Sequence, residues 1–238
     1  LKMLSLKLGD IEDFPFVDKP DSRLIRDGIG LLEELGSIDE KQRLTPTGRL
    51  LGKFPVDPRI GRMVVEANKN GALKEVLIIA SALSIQDPRE RPHDKQQAAD
   101  EKHRQYWHES SDFLALVNLW NHVEEIRQQD SQSQFRTFCK KNYLSYLRLR
   151  EWRDIHRQLH LACKEAGMKE NKNDASYEAV HQSLLAGLLN NIAQHHDDRD
   201  YLGVRNRKLQ IFPGSSLAKK KPKWIMSAEL METSRLFA

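Results

Sequence analysis

Cysteine is nearly absent from this sequence, since only Cys139 and Cys163 occur among its 238 residues. The two cysteines form no CxxC motif, so the sequence predicts no disulfide framework and favours a reducing compartment. No apolar run approaches the roughly 18 residues that a membrane span requires, and no cleavable signal sequence is recognisable. These absences exclude a disulfide-stabilised secreted domain and a membrane-spanning protein, and they favour a cytoplasmic location.

Nucleotide-binding loops are absent as well. The sequence contains no GxxxxGK[ST] phosphate loop and no GxGxxG motif, so it offers no visible place to bind or hydrolyse a nucleotide. His156 and His160 are spaced for one helix face and His195 and His196 are adjacent, but no third ligand completes a zinc site. The sequence therefore predicts no catalytic residue, no metal and no cofactor within this chain.

Positive charge is present and unevenly distributed. The chain has 38 Lys and Arg against 34 Asp and Glu, which gives a net charge of +4. Residues 199–238 contain nine basic and three acidic side chains, and residues 136–157 contain seven and two. A local excess of basic residues indicates that these two segments meet an anionic partner.

The first 55 residues predict a winged-helix unit. Residues 21–35 have the pattern of an amphipathic helix ended by Gly36, and residues 37–44 suit a short strand and turn. Thr45-Pro46 then starts a second helix, with proline at an early position where no hydrogen-bond donor is lost. A boundary follows at residues 54–58.

A pair of buried helices lies in the middle of the sequence. Residues 76–85 are apolar nearly all round, which predicts a buried helix, and a charged loop begins at Asp87-Pro88. A second apolar helix begins at residues 110–112, where serine and aspartate oxygens can cap free N–H groups. Such a pair is typical of the centre of an all-helical domain.

The remaining sequence predicts a long helix and then a small sheet. Residues 133–166 have the pattern of one continuous helix, and residues 177–189 suit a final amphipathic helix. After residue 190 the apolar period becomes two, which predicts strands at residues 201–204, 208–212, 224–230 and 233–237. The predicted fold is mainly α with a small β part: a winged-helix-like domain (residues 1–55), a helical domain (56–190) and a small β-barrel, complete or truncated (191–238).

The first candidate binding site lies on the predicted long helix. At helical spacing, Arg150, Arg153 and Arg157 fall within a narrow arc beside the apolar face. Aligned guanidinium groups can bind successive phosphates, because each is planar, always charged and multidentate. The alternative is a solvated face with ordinary ion pairs to Glu151 and Asp154.

The second candidate site lies on the predicted barrel, where basic residues alternate with Phe212 and Trp224. Its candidate RNA- or DNA-binding residues are Arg205, Arg207, Gly214, Ser215, Ser216, Lys219, Lys220 and Lys221. Such a surface suits single-stranded nucleic acid, since lysines and arginines follow the backbone and aromatics stack on bases. The turn at Gly214 is predicted to need a positive φ and to expose N–H groups to a phosphate. The alternative makes both aromatics barrel core and the lysines a solubilising loop.

Several motifs together resemble the region that follows the motor domains in DEAH-box RNA helicases, most closely the large bacterial HrpA-type members. The motifs are Thr45-Pro46-Thr47-Gly48, Phe54-Pro55-Val56-Asp57-Pro58, residues 81–88 with Arg91-Pro92, Ser111-Asp112-Phe113-Leu114 with Asn118, residues 138–144, and residues 211–216 with Pro222-Lys223-Trp224. Their order and spacing cover nearly the whole chain. Leu1–Leu8 lacks an N-cap residue, as expected for a chain cut from a larger protein.

The resemblance implies a winged helix, a helical ratchet domain and an OB-fold barrel that close over single-stranded RNA on the motor domains. It also implies that ATP and Mg²⁺ bind to motor domains of the same chain, which would couple ATP-driven motion to unwinding. Expected partners are single-stranded or structured RNA and those motor domains, with no membrane. One motif departs from the family, because the His-Pro-Ser-Ser pattern is replaced by Phe212-Pro213-Gly214-Ser215.

Two other classes of protein fit the sequence less completely. A free-standing winged-helix regulator would read duplex DNA with residues 21–35, but that helix has only Arg23 and Arg26 against four acidic residues. A scaffold that docks a protein activator or the ribosome remains an alternative, since a basic surface serves either partner.

Overall fold

The computed structural model of the chain describes residues 1–233 and 235–238. It is mainly helical with a small sheet, as the sequence predicts. The chain divides into two compact units, one made of Leu1–Leu73 with Gln158–Gly187 and the other of Lys74–Arg157 with Leu188–Ala238. The division into three domains at residues 55 and 190 stays a prediction.

The first unit begins with three helices: α1 (Lys2–Leu6), α2 (Ser22–Glu34) and α3 (Pro46–Leu51). Local capping fixes where α2 and α3 start. Asp21 Oδ1 accepts a hydrogen bond from the Arg23 amide at 2.6 Å, and Thr45 Oγ1 accepts one from the Gly48 amide at 3.0 Å. Between the helices, Ile38 pairs with Leu44 in an isolated antiparallel bridge. The two predicted helices are therefore present, whereas the short strand predicted at residues 37–44 is reduced to this single bridge.

Two further helices, α4 (Pro58–Asn70) and α10 (Tyr177–Leu185), pack against each other in the first unit. Close approach is possible because Gly187 has no side chain, since a Cβ there would lie 2.3 Å from the Arg59 carbonyl oxygen. The Asn70 side-chain Nδ2 donates a hydrogen bond to Ser183 Oγ at 3.0 Å across the pair. Cys163 is buried in this unit, and burial raises the pKa of its thiol to about 12.

The helical part of the second unit comprises α5 (Leu73–Ala82), α6 (Gln96–Arg104), α7 (Asp112–Gln129), α8 (Gln132–Lys141) and the start of α9 (Tyr146–Glu165). Trp152 is fully buried in its core. The Trp152 indole N–H donates to the Ile78 carbonyl and to Ser81 Oγ, each at 3.0 Å. Cys139 is buried in the same core, and burial raises its thiol pKa to about 11. Both cysteines are therefore packing residues.

The sequence predicts one helix over residues 133–166, and this prediction is wrong. Residues 142–145 separate α8 from α9, and Tyr143 adopts a left-handed φ of 52°. The charged loop after α5 satisfies the freed backbone groups, since the Ser145 amide donates to the Pro88 carbonyl at 2.8 Å. Hydrophobic periodicity missed the break because its cause lies more than 50 residues away along the chain.

The second unit also contains a sheet of six strands within the described residues: β1 (Ile192–Asp197), β2 (Asp200–Gly203), β3 (Lys208–Gln210), β4 (Trp224–Met226), β5 (Met231–Glu232) and β6 (Leu236–Phe237). The strand order is β4-β1-β2-β3-β6-β5, and only the β3–β6 pairing is parallel. The buried residues of the sheet are Ala193, Tyr201, Leu209 and Ile225. Tyr201 also donates a hydrogen bond to the Pro222 carbonyl at 2.8 Å.

The predicted strands differ from the observed ones in several places. The strand predicted at residues 208–212 ends at Gln210, and β5 was not predicted. The sequence missed β1, which pairs with strands on both sides although it has little hydrophobic alternation. The predicted strand at residues 224–230 ends at Met226. The Asn191 side chain donates hydrogen bonds to the Ser227 and Ala228 carbonyls, so these carbonyls do not pair with a neighbouring strand. The predicted strand at residues 233–237 includes Ser234, which lies outside the described residues.

Candidate nucleic-acid interface

One face of the sheet presents a row of side chains that cross four adjacent strands. Register places Trp224 beside Gln194, Gln194 beside Leu202, and Leu202 beside Lys208. Residues opposite each other on neighbouring strands point to the same face. Trp224 is 57% exposed and Phe212 is 46% exposed, so neither aromatic belongs to the barrel core. The row therefore has an accessible indole at one end and a lysine at the other.

Arg205 and Arg207 lie in the connection between β2 and β3, close in sequence to the lysine end of the row. Both side chains are exposed. Arg205 and Asn206 adopt left-handed φ angles of 61° and 57°. The connection is closed by a hydrogen bond from the Gly203 amide to the Arg207 carbonyl at 2.9 Å. This tight course projects two guanidinium groups into solvent beside β3.

The turn at Gly214 differs from the prediction. Its φ lies outside the left-handed region, so the backbone does not require glycine. A Cβ there would lie 3.0 Å from Cε1 of Phe212, a tight contact that a small movement of this exposed ring would relieve. The Ser215 amide donates to the Phe212 carbonyl, and Ser215 Oγ accepts from the Leu217 amide. The Ser216 amide donates to Asp112 Oδ1 at 3.1 Å. The amides of both serines are therefore already bonded within the protein.

The start of α7 anchors this turn. Ser111 Oγ caps the helix by accepting from the Leu114 amide at 3.2 Å, which leaves the Asp112 carboxylate to accept from Ser216. Lys220 adds a second contact by donating to the Glu109 carbonyl. The helix-capping motif Ser111-Asp112 thus also fixes the loop between β3 and β4.

Replacing Asp112 with alanine is expected to loosen the loop and to destabilise the second unit by about 1–2 kcal/mol. The change removes one hydrogen bond and an acidic group from the first turn of α7. Hydrogen exchange should increase at residues 213–221. Glu125→Ala, at an exposed position of the same helix, is the matched control. Unchanged exchange in the loop would contradict the anchoring role.

The three adjacent lysines have different environments. Lys221 forms a 2.9 Å ion pair with Asp198, and this hydrogen bond lowers the pKa of the Asp198 carboxyl. Lys220 contacts the Glu109 carbonyl, whereas Lys219 is exposed and forms no hydrogen bond or ion pair among residues 1–233 and 235–238. Exposed ion pairs contribute little to stability, so Lys221 can exchange Asp198 for another anion.

Arg150 and Arg153 lie together beside a groove of about 500 Å³, whereas Arg157 does not line it. The Arg157 side chain is 72% exposed and lies 3.5 Å from Asp154. The third arginine of the groove is Arg127 at the end of α7, which sequence reasoning missed. The spacing of Glu124 and Arg127 predicts an ion pair within one helix. That Arg127 also lies beside α9 follows only from the fold.

The charged loop between α5 and α6 has a structural role. Arg89 forms a forked ion pair with Asp87, and Arg148 donates to the Asp87 carbonyl at 3.0 Å. Burial disfavours the Asp87 carboxylate, but the pair with Arg89 outweighs that effect and lowers the pKa of the carboxyl. Arg91 forms a similar forked pair with Asp100. These contacts order the loop that contacts the α8–α9 connection.

The histidines are engaged in local contacts. His156 lies 4.6 Å from the Trp120 ring, and His160 contacts the Glu170 carboxylate. Within the part of the chain that the structure describes, no group of three or more His, Cys, Asp and Glu side chains is arranged to hold a metal ion. The same residues include no helix with both the length and the apolar character to cross a membrane.

Comparison with protein families assigns three successive segments. Residues 29–56 match the winged-helix part of the helicase associated domain (HA2), and residues 57–116 match its ratchet-like part. Residues 180–238 match the oligonucleotide/oligosaccharide-binding (OB) fold. The predicted combination of winged helix, ratchet domain and OB fold is therefore confirmed.

Comparison with curated proteins gives relatives over the entire chain. The chain is 55% identical over 243 residues to the ATP-dependent RNA helicase HrpA of Escherichia coli (strain K12), and 50% over 245 residues to the HrpA homolog of Haemophilus influenzae. It is 25% identical over 237 residues to the pre-mRNA-splicing factor ATP-dependent RNA helicase prp22 of Schizosaccharomyces pombe. All or 99% of the chain is matched, but it spans only about a fifth of these relatives' lengths, 19–20%.

Proposed function

We propose that the chain, which matches the helicase associated domain and the OB fold, is the corresponding region of an HrpA-type DEAH-box RNA helicase. We further propose that it binds single-stranded RNA on the exposed face of its OB-fold sheet. The observation that carries this proposal is the row from Trp224 through Gln194 and Leu202 to Lys208. An exposed indole can stack on any base, and the neighbouring cations can follow the phosphates. Sequence preference is expected to be weak, because stacking does not distinguish bases strongly.

Basic side chains beside the row support the same proposal. Arg205 and Arg207 project from the β2–β3 connection, and Lys219 is exposed in the β3–β4 loop. Lys220 contacts the Glu109 carbonyl and Lys221 pairs with Asp198, so these two lysines fix the loop. Phosphate contacts position a strand without reading its sequence. The lysines of the β3–β4 loop thus attract the RNA phosphates, and the Trp224 ring stacks on a base.

In the longer protein, the winged-helix, ratchet and OB domains would close over single-stranded RNA on motor domains of the same chain. Those motor domains would bind ATP and Mg²⁺ and hydrolyse ATP. The accessory domains would convert their motion into translocation and unwinding. Support comes from the relatives named as ATP-dependent RNA helicases and from the match to both helicase-associated families.

The test replaces Trp224 with alanine in the 238-residue chain and measures affinity for a fluorescent single-stranded RNA at fixed salt. Loss of one base–aromatic stack should weaken binding about tenfold or more, since such stacks contribute about 1–3 kcal/mol. Thermal stability should change little, because the side chain is 57% exposed. Trp224→Phe should retain most of the affinity.

Trp107→Ala is the matched control, since Trp107 is a 43% exposed tryptophan outside the sheet. It should leave RNA affinity unchanged. Equal affinity of the Trp224→Ala and wild-type chains would show that the sheet face is not the binding site. Absence of any RNA binding by the wild-type chain would overturn the proposal as a whole.

A further inference from the structure

We infer that the groove between the end of α7, the start of α8 and the start of α9 holds one nucleotide of bound RNA. The groove is lined by Arg127, Gln132, Phe135, Tyr146, Arg150 and Arg153, among others, and has a volume of about 500 Å³. This size lies within the range of small-ligand pockets. The inference rests on the proposed RNA-binding function and adds a second contact site in the helical part of the chain.

Part of the groove lining is apolar. Phe135 and Leu149 line the groove, and their side chains belong to the buried core with exposures of 5% and 2%. The Tyr146 ring lies at 63° to the Phe135 ring, with 5.9 Å between centroids. A planar base placed there would contact the partly exposed Tyr146 ring, which packs on this apolar core.

Contacts with Arg136 and Gln132 fix the Tyr146 ring. The Arg136 guanidinium carbon lies 4.9 Å from the ring centroid, and Arg136 is not among the groove-lining residues. Gln132 donates a hydrogen bond to Tyr146 Oη at 3.0 Å. That hydrogen bond, together with Arg136, lowers the pKa of the Tyr146 phenol. A preorganised ring loses little conformational entropy when a base stacks on it.

The three arginines that line the groove differ in their ion pairs. Arg127 and Arg153 both form 2.9 Å ion pairs with the same carboxylate, that of Glu124. Arg150 is exposed, and no ion pair to it is found in the described part of the chain. One carboxylate shared by two guanidiniums leaves Arg150 as the group best able to bind an added phosphate.

The acidic lining residues define the class of ligand. Asp130 and Asp154 also line the groove, so a bare polyanion would meet repulsion there. A nucleoside phosphate fits better, because its ribose hydroxyls and base amino groups can donate to carboxylates while its phosphate faces Arg150. The same chemistry occurs in a free nucleotide and in an RNA strand. The groove is open to solvent on one side, which allows a strand to enter and leave.

The main test compares Arg150→Gln with Arg157→Gln in the 238-residue chain, using single-stranded RNA across a range of salt concentrations. Arg150→Gln should weaken binding roughly fivefold to tenfold and lower the salt-dependence slope by about 0.7, the value for one phosphate contact on a single strand. Arg157→Gln should change neither quantity, since Arg157 lies on the same helix but outside the groove. Equal effects of the two variants, or no effect of Arg150→Gln, would overturn the inference.

A second measurement follows the base. A 2-aminopurine placed at successive RNA positions should show one position whose fluorescence changes on binding, and Tyr146→Leu should abolish that change while Tyr146→Phe preserves it. If Tyr146→Leu proves unstable, the arginine pair alone decides. Titration with AMP separates the sources: AMP binding that single-stranded RNA does not displace would assign the groove to a free nucleotide and overturn the RNA assignment.

The outcomes distinguish this inference from the proposed function. RNA binding that is weakened by Trp224→Ala but unaffected by Arg150→Gln would retain the sheet site and reject the groove. Absence of RNA binding by the wild-type chain would reject both. Multiplicative losses in the Trp224→Ala, Arg150→Gln double variant would show two independent contacts.

Discussion

Replacing Trp152 with alanine is expected to destabilise the second unit by about 3–5 kcal/mol. Trp152 is fully buried in the helical core, and its indole N–H bonds to Ile78 on α5 and to Ser81. The substitution leaves a large cavity, because the surrounding helices can collapse only in part. It also deprives the Ile78 carbonyl and Ser81 Oγ of a hydrogen-bond donor. Urea unfolding followed by circular dichroism measures the loss.

Two other variants separate packing from hydrogen bonding at this site. Trp152→Phe keeps much of the side-chain volume but removes the indole N–H donor. This variant should therefore still lower the free energy of unfolding by about 1–3 kcal/mol. Trp107→Ala removes an indole that is 43% exposed and should cost less than about 1 kcal/mol. If Trp152→Ala cost no more than Trp107→Ala, the helical core would not depend on this residue.

Helix starts could be predicted from the sequence because their causes are local. Asp21, Thr45, Asp57 and Ser111 each accept a hydrogen bond from an amide two or three residues later, as helix caps do. The observed starts of α2, α3, α4 and α7 follow directly. Neither tertiary packing nor a partner is needed to identify such a site.

Features with distant causes could not be predicted in this way. The break between α8 and α9 depends on backbone donors and acceptors in the loop after α5, and β1 is held by pairing with β2 and β4. The link from Asp112 to Ser216 spans 104 residues. Periodicity and capping rules describe contacts within a few residues, so none of these links leaves a local pattern.

The candidate RNA-binding residues show the same difference between features with local causes and features with distant causes. Exposure of Phe212 and Trp224 could be weighed but not decided from sequence, because an aromatic residue in a strand suits either face. Arg127 was missed because it lies far in sequence from Arg150 and Arg153, although all three line one groove. Arg157 was grouped with them by helical spacing alone, and it contacts Asp154 instead.

The motifs that identify the family are largely structural. Thr45 caps α3, Asp87 orders a loop, and Ser111 and Asp112 fix the start of α7 and the loop between strands. Such residues specify how the domains fold and say little about which side chains meet RNA. Recognition of the family therefore rests mainly on residues that fold the domains, whereas the proposed contacts with RNA rest on side chains of the sheet face and the groove.

Gly48→Ala is expected to destabilise the winged-helix segment by about 3 kcal/mol, an unusually large effect for adding one methyl group. A Cβ at Gly48 would lie 1.9 Å from the Ser37 carbonyl oxygen and 2.8 Å from its carbon. That oxygen already accepts a hydrogen bond from the Thr45 amide at 3.1 Å, so it cannot move without breaking the junction between the bridge and α3.

The matched control for this prediction is Gly30→Ala, in the exposed middle of α2. A Cβ there meets no atom within 4 Å, and alanine in place of a helical glycine should stabilise the chain by about 0.5–1 kcal/mol. Thermal unfolding of the two variants should therefore shift in opposite directions. A Gly48→Ala chain as stable as wild type would mean that α3 does not pack on Ser37 as described, and it would remove the physical reason for glycine in the Thr45-Pro46-Thr47-Gly48 motif.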